Sequence, residues 1–166
     1  MPTRAPRIYV ASPLGFTAAG RAHNALTLLP SLREAGFEVL DPWEVEPEIE
    51  AIFALGRDEP ERTRLLAETN RRVGQRNAEL IRSADGLLAI LDGADVDSGT
   101  AAEIGYAAAL PRPVVGLRTD FRTSGDNEQT LVNLQVEWFV VESGGALATS
   151  LAEAIARLDS IFEGNN

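Results

Sequence analysis

The chain has 166 residues, a formal net charge of −10, 45% apolar and 24% charged residues, and no cysteine. That length suits one domain burying roughly 70% of its unfolded surface, the composition is ordinary for a globular protein, and the lack of cysteine rules out disulfides and thiolate metal sites. The negative charge disfavours a nucleic-acid polymer or an anionic membrane as partner, no apolar run nears the roughly eighteen residues of a span, and the opening MPTRAPRIYVASP has too short an apolar stretch for a signal peptide; a cytoplasmic location is expected.

Short apolar runs alternate with helical stretches, the pattern of βαβ units in a mostly parallel sheet. Arg7–Ala11 reads as the first strand. A helix is expected over Thr17–Ala35, kinked or restarted at Pro30 and stopped by Gly36. The sole histidine, His23, lies within it and suits a solvated surface better than catalysis. Phe37–Asp41 is the second strand candidate, followed by a short acidic helix, Glu46–Gly56, and a long charged one, Glu61–Ser83. Gly86–Leu91 is the third strand, Ser98–Leu110 an alanine-rich helix and Pro113–Leu117 the fourth strand. Arg118–Leu131, with Asp120, Gly125, Asp126 and Asn127, reads as a loop. The run Trp138–Glu142 is assigned to the fifth strand and Leu147–Phe162 to the last helix. Residues 1–166 are thus expected to form one α/β domain: a flavodoxin-like, doubly wound, five-stranded parallel sheet with helices on both faces and its switch point between the first and third strands.

Several chemistries find no support. Ala11-Ser12-Pro13-Leu14-Gly15 stands where a dinucleotide-binding Gly-x-Gly-x-x-Gly would follow the first strand, and there is no Walker lysine. Asp92 to Glu103 has the span of a calcium loop, but Ala94 and Val96 occupy ligand positions and Asp97 replaces the turn glycine. One histidine supports neither a serine triad nor a histidine-bearing zinc site, so no metal is expected.

Carboxylate chemistry remains, concentrated in LDGADVDSGTAAEIGYA, Leu91 to Ala107, just past the carboxyl end of the third strand. In open α/β sheets that edge is where ligands bind. Asp97 or Ser98 would cap the following helix, and Gly99 lets the backbone approach a ligand. Glu103 falls about one and a half turns in, among Ala101, Ala102, Ile104, Gly105 and Ala107. Such neighbours desolvate a carboxyl group and favour reactivity, although an N-cap at Asp97 and a solvated Glu103 would account for the spacing equally well.

Three blocks resemble the nucleoside 2-deoxyribosyltransferase family: Ile8-Tyr9-Val10-Ala11-Ser12-Pro13-Leu14-Gly15-Phe16, Asp97-Ser98-Gly99-Thr100-Ala101-Ala102-Glu103-Ile104-Gly105-Tyr106-Ala107, and Asn133-Leu134-Gln135. The resemblance implies an enzyme of nucleotide salvage that moves 2-deoxyribose between nucleobases. Glu103 would attack the anomeric carbon of a free 2′-deoxyribonucleoside and hold the sugar as an ester until a second base arrives. It implies that Asp97 holds the 5′-hydroxyl, that Tyr9 orients the nucleophile, and that Ser98 and Gly99 line the substrate. Asn133, with Gln135 beside it, would complete a neighbouring subunit's site, so a homo-oligomer is expected, acting on deoxyribonucleosides and free nucleobases without a cofactor. Phe16 and Trp43, in the loops after the first two strands, are candidates to sandwich a nucleobase or to cover the core.

The chain departs from the family pattern twice. Where members carry an aspartate in the helix ahead of the Ala-Asp pair that opens the third strand, it has Asn77 before Ala84-Asp85, which can bond a base but cannot shuttle a proton. Its tail, Phe162-Glu163-Gly164-Asn165-Asn166, lacks the terminal tyrosine of some members. Three alternatives stand beside the transferase: a 2′-deoxynucleoside 5′-monophosphate N-glycosidase, a phosphoribohydrolase with a Pro-Gly-Gly-x-Gly-Thr-x-x-Glu motif, and a non-catalytic nucleoside-sensing domain. Asp97 argues against the first, because a carboxylate repels a 5′-phosphate, and Asp97-Ser98 displace the phosphate-binding glycines of the second.

Overall fold

The computed structural model describes residues 4–44 and 48–163; Glu46, at the start of the expected acidic helix, and Gly164, Asn165 and Asn166 of the tail lie outside them. Five strands, β1 (Arg7–Ala11), β2 (Glu38–Leu40), β3 (Gly86–Ile90), β4 (Val114–Leu117) and β5 (Ala146–Ala148), form one parallel sheet in the order β2-β1-β3-β4-β5. This is the flavodoxin-type order, with its switch point between β1 and β3 as expected. Tyr9 lies level with Leu40 on one side and Leu87 on the other.

Because successive strand residues point to opposite faces, β1 and β3 serve two cores. Tyr9, Ala11, Leu87 and Ala89 face helices α4 (Pro60–Ser83), α5 (Ser98–Ala109) and α6 (Leu134–Glu142), meeting Ile81, Ile104, Val136 and Val140. Ile8, Val10, Leu88 and Ile90 face the turn Asn24–Leu28 that follows α1 (Ala18–His23), α2 (Leu29–Glu34) and α7 (Leu151–Glu163), meeting Leu28, Leu32, Ala154 and Leu158. Truncating one of these fully buried leucines or isoleucines to alanine costs about 2–5 kcal/mol. A short α3 (Glu48–Ala54) precedes α4.

The first helical stretch restarts near its proline. Thr17 caps α1 by accepting from Gly20 N, a π-helical turn spans Asn24–Leu28, and Pro30 sits in the opening turn of α2, where its missing N–H costs least. Gly36, at φ 92°, ends the stretch. His23 is exposed.

The expected fifth strand is overturned. Trp138–Glu142 belongs to α6, and the edge strand is Ala146–Ala148, taken from the start of the expected last helix, which begins at Leu151 instead. A short apolar run does not separate strand from buried helix by itself; here the deciding residues flank it. Asn133 caps the helix, Val136 and Val140 bury one stripe at helical spacing, and Gly144, at φ 82°, releases the chain. A side chain at Gly145 would place Cβ 1.8 Å from the Val114 carbonyl oxygen, so β5 can pair with β4 only because glycine stands there.

Candidate active site

The switch-point fold brings the carboxyl ends of β1, β2 and β3 and the amino end of α5 to one edge. Asp97 is the N-cap of α5: its Oδ2 accepts from Thr100 N at 2.9 Å and from Thr100 Oγ1 at 3.2 Å. Its Oδ1 has no hydrogen-bond partner among the described residues. Gly99 packs close by: a Cβ there would fall 3.1 Å from Asp97 Oδ2, a tight contact. Ser98 and Gly99 are exposed at the helix start.

Glu103 projects from α5 toward the sheet, and Tyr9, fully buried on β1, donates its hydroxyl to Glu103 Oε1 at 2.6 Å. This bond joins residues ninety-four positions apart. Burial pushes the Glu103 carboxyl above its usual range; the charge of Asp97 adds to this, and the bond from Tyr9 opposes it. Burial, reinforced by the charge of Glu103, pushes the Tyr9 phenol far up, so it stays a donor. The pair is therefore a poised carboxylate with one oxygen fixed by a neutral phenol, while Oε2 has no partner among the described residues.

Asn77 lies one turn before buried Ile81 in α4, and its buried Oδ1 has no hydrogen-bond partner among the described residues. The neighbouring Arg76 donates to the Glu44 carbonyl at 2.8 Å and is near enough to Tyr9 for its charge to oppose the rise in the phenol. Phe16 and Trp43 do not form an open sandwich: their rings touch edge to face, with centroids 4.7 Å apart at 79°. Trp43 packs over Gly15 while Phe16 stays exposed.

Asn133 spends its side chain on its own helix, accepting from Gln135 N at 3.0 Å and Val136 N at 3.4 Å, and Gln135 is exposed beside it. Neither hydrogen-bonds Glu103 or Asp97 within the described residues of this subunit.

Sequence reasoning missed the groups that brace this edge. Asp92 accepts from Thr119 Oγ1 and Asp120 N, and the buried guanidinium of Arg118 donates to the carbonyls of Leu91, Gly93 and Arg122. Together they lock the loop after β4 to the loop that carries Asp97. Asp41, buried at the end of β2, was also overlooked; its position just past a strand, ahead of Pro42-Trp43, was the available signal.

Comparisons with known proteins place the chain by family and fold. The chain is 31% identical over 129 residues to an uncharacterized protein of Schizosaccharomyces pombe, a match covering 73% of this chain and 54% of that one, so the chain spans about half the length of this curated relative. It superimposes on a conserved protein from Enterococcus faecalis with a TM-score of 0.66 and 25% identity, covering 95% of this chain and 99% of that one. A 2-deoxyribosyltransferase from Leishmania mexicana shares the fold with a TM-score of 0.63 and 23% identity, covering 91% of this chain and 95% of that one. Residues 8–135, which hold Tyr9, Asp97, Glu103 and Asn133, match the model of the nucleoside 2-deoxyribosyltransferase family, and the chain belongs to that family.

Proposed function

We propose that the protein transfers 2-deoxyribose between nucleobases, acting on free 2′-deoxyribonucleosides in nucleotide salvage in the cytoplasm. The observation that carries this reading is the part-buried Tyr9–Glu103 hydrogen bond at the carboxyl edge of the switch point. Glu103 attacks C1′; the C1′–N bond breaks, and the base leaves with the bonding electrons and takes a proton from water, since Asn77 has none to give. A nitrogen of the incoming base then attacks C1′ of the glycosyl ester, frees the Glu103 carboxylate and returns a proton to water. Two displacements retain configuration at C1′, and no cofactor takes part.

Tyr9, holding Oε1, directs Oε2 at the sugar. Asp97, with Oδ2 committed to its cap, offers Oδ1 to the 5′-hydroxyl, while a 5′-phosphate would meet the charge of that carboxylate. Asn77 offers its open carbonyl to the base. Ser98 and Gly99 border the sugar, and Phe16 with Trp43 walls the base end.

Asn133 and Gln135 act in a neighbouring subunit's site. The outer face of α6 supports this assembly: Leu134, Trp138 and Val141 stand 49%, 57% and 57% exposed along one stripe that begins beside Asn133. Such a stripe is the kind of surface a second copy covers.

The test is to incubate the protein with deoxyinosine or thymidine, with and without adenine or cytosine, and to follow products by chromatography. New deoxynucleosides should form only when free base is present, and deoxynucleoside 5′-monophosphates should be poor donors. Hydrolysis of monophosphates in preference to nucleosides would replace the transferase reading with the N-glycosidase one. Binding of nucleosides without turnover would leave a sensing domain.

A further inference from the structure

The loops after β1 and β2 form one corner, anchored by a buried polar pair that the proposed chemistry leaves unused. Asp41, at the end of β2, is 6% exposed, and Asn24, which opens the π-helical turn, is 5% exposed. Asn24 Nδ2 donates to Asp41 Oδ2 at 3.1 Å, and Trp43 N donates to Asp41 Oδ1 at 3.0 Å. One carboxylate oxygen thus grips the helix and the other grips the loop.

Trp43 carries that grip across to the loop after β1. Its indole Nε1 donates to the Ser12 carbonyl at 2.8 Å, and its ring lies where a Cβ on Gly15 would come within 1.9 Å. Its edge-to-face contact then places Phe16, whose ring stays 69% exposed at the mouth of the corner. Apolar packing alone would hold the two loops together but leave the indole free to rotate; two directional bonds at its backbone and ring nitrogens fix its plane.

The helix is shaped to deliver Asn24. A π-helical turn widens a helix by one residue and is frequent at functional sites; here it turns Asn24 inward while His23 and Ala25 stay exposed. A carboxylate is costly in such a place unless its oxygens are satisfied. Burial pushes the Asp41 carboxyl up, and the bonds from Trp43 and Asn24 oppose it.

We propose that Asn24 and Asp41 are positioning residues that set the plane of Trp43, and through it Phe16, at the base end of the site, so that they govern affinity for the nucleobase. This inference rests on the transferase reading.

It is tested with Asp41→Ala, assayed for base exchange with adenine as acceptor, and with 5-fluorotryptophan-labelled protein, in which the 19F signal of Trp43 is identified by its loss in Trp43→Phe. KM for adenine should rise by about tenfold or more, equal to about 1.4 kcal/mol, with kcat at saturating base within about threefold. The Trp43 signal should shift or broaden. Asp41→Asn, whose carboxamide still accepts from Trp43 N and can donate to a flipped Asn24, should keep KM within about threefold of wild type and keep the Trp43 signal in place. If Asp41→Ala does not fold, Asn24→Ala carries the same test, with the same directions expected. A Trp43 signal unmoved by loss of the pair, or a fall in kcat with KM unchanged, overturns the proposal. Absence of base exchange in the wild-type protein overturns the transferase reading alone, because the Trp43 signal still shows whether the pair positions the ring.

Discussion

The amino edge of the sheet and the switch-point part of its carboxyl edge are built from the same strands yet follow opposite electrostatic rules. At the amino edge, Arg4 makes two bonds to Asp85, at 2.6 and 2.8 Å, Asp85 also accepts from Arg7 N at 2.8 Å, and Arg7 pairs with Glu38 at 3.0 Å. Arg4 holds the Asp85 carboxyl below its usual range. At the carboxyl edge, burial pushes both Glu103 and Asp41 up, and buried oxygens of Ser12, Asn24 and Asn77 lack partners among the described residues. A cleft of about 560 Å³ lies at the amino edge, between Arg4, Phe37, Asp85 and Phe162, where the charges are already matched. Satisfied ion pairs stabilise a fold, whereas desolvated carboxylates and open polar atoms hold free energy in reserve for a ligand.

Substitutions at the two edges should accordingly split activity from stability. Glu103→Gln should abolish base exchange by a factor of at least about 10³, because it removes the covalent route. The same variant should be more stable than wild type at pH 7 by about 1 kcal/mol, measured by denaturant unfolding, as is common when a functional strain is relieved. The sign follows from linkage: a carboxyl whose folded pKa is raised favours the folded state at low pH and loses that contribution as pH rises through the folded value. The gain should thus shrink in acid. A Glu103→Gln protein that is less stable at pH 7 would break the contrast between the edges.

The shared-site proposal gives the next largest effect. Glu103→Ala and Asn133→Ala proteins, each nearly inactive, should regain activity when their subunits are exchanged, with about a quarter of the sites intact in a randomly mixed dimer. No recovery after verified mixing would show that each chain completes its own site.

Tyr9→Phe should lower kcat by about tenfold, the scale of one lost positioning hydrogen bond. It should also move the acid limb of the kcat profile to higher pH. Glu103 must be ionised to attack, and the bond from Tyr9 opposes the rise caused by burial, so its loss sends the carboxyl higher still. A limb that stays fixed or moves down would show that Glu103 is not the group that titrates.

The smallest effect on catalysis belongs to the amino edge. Asp85→Asn should weaken the bond to Arg7 N, worth about 1 kcal/mol when intact, and leave kcat unchanged. Since Arg4 and Arg7 N depress the Asp85 carboxyl, its stabilisation is present near neutrality and is lost as pH falls through the lowered value. Loss of exchange in this variant would mean that the two edges are coupled.

How much of this was legible in the sequence depended on whether the signal was local. The strand starts at Arg7 and Gly86, the Asp97 cap and the Gly36 stop are written in adjacent residues and stand as expected. Glu103 stood out from its apolar helical neighbours and Tyr9 by resemblance, while their contact spans ninety-four positions and needed the fold. The fifth strand failed because Trp138-Phe139-Val140-Val141 carries high strand propensity; the cap at Asn133 and the burial of Val136 and Val140 against β4 and α5 override it. The π-helical turn had no local signature beyond a proline two residues past its end, and the bond it accompanies, from Asn24 to Asp41, spans seventeen residues. Arg118 looked like an ordinary loop arginine because its partners are backbone carbonyls, which no side-chain pattern records.

The covalent role of Glu103 is tested most directly by mass spectrometry of protein incubated with a 2-fluoro-2-deoxynucleoside, whose glycosyl ester turns over slowly. A single added 2-fluoro-2-deoxyribosyl group, mapped to the peptide containing Glu103 and discharged on addition of free base, is the expected result. An adduct on Asp97 or any other residue, or exchange that proceeds in Glu103→Ala at a near-normal rate, would contradict it.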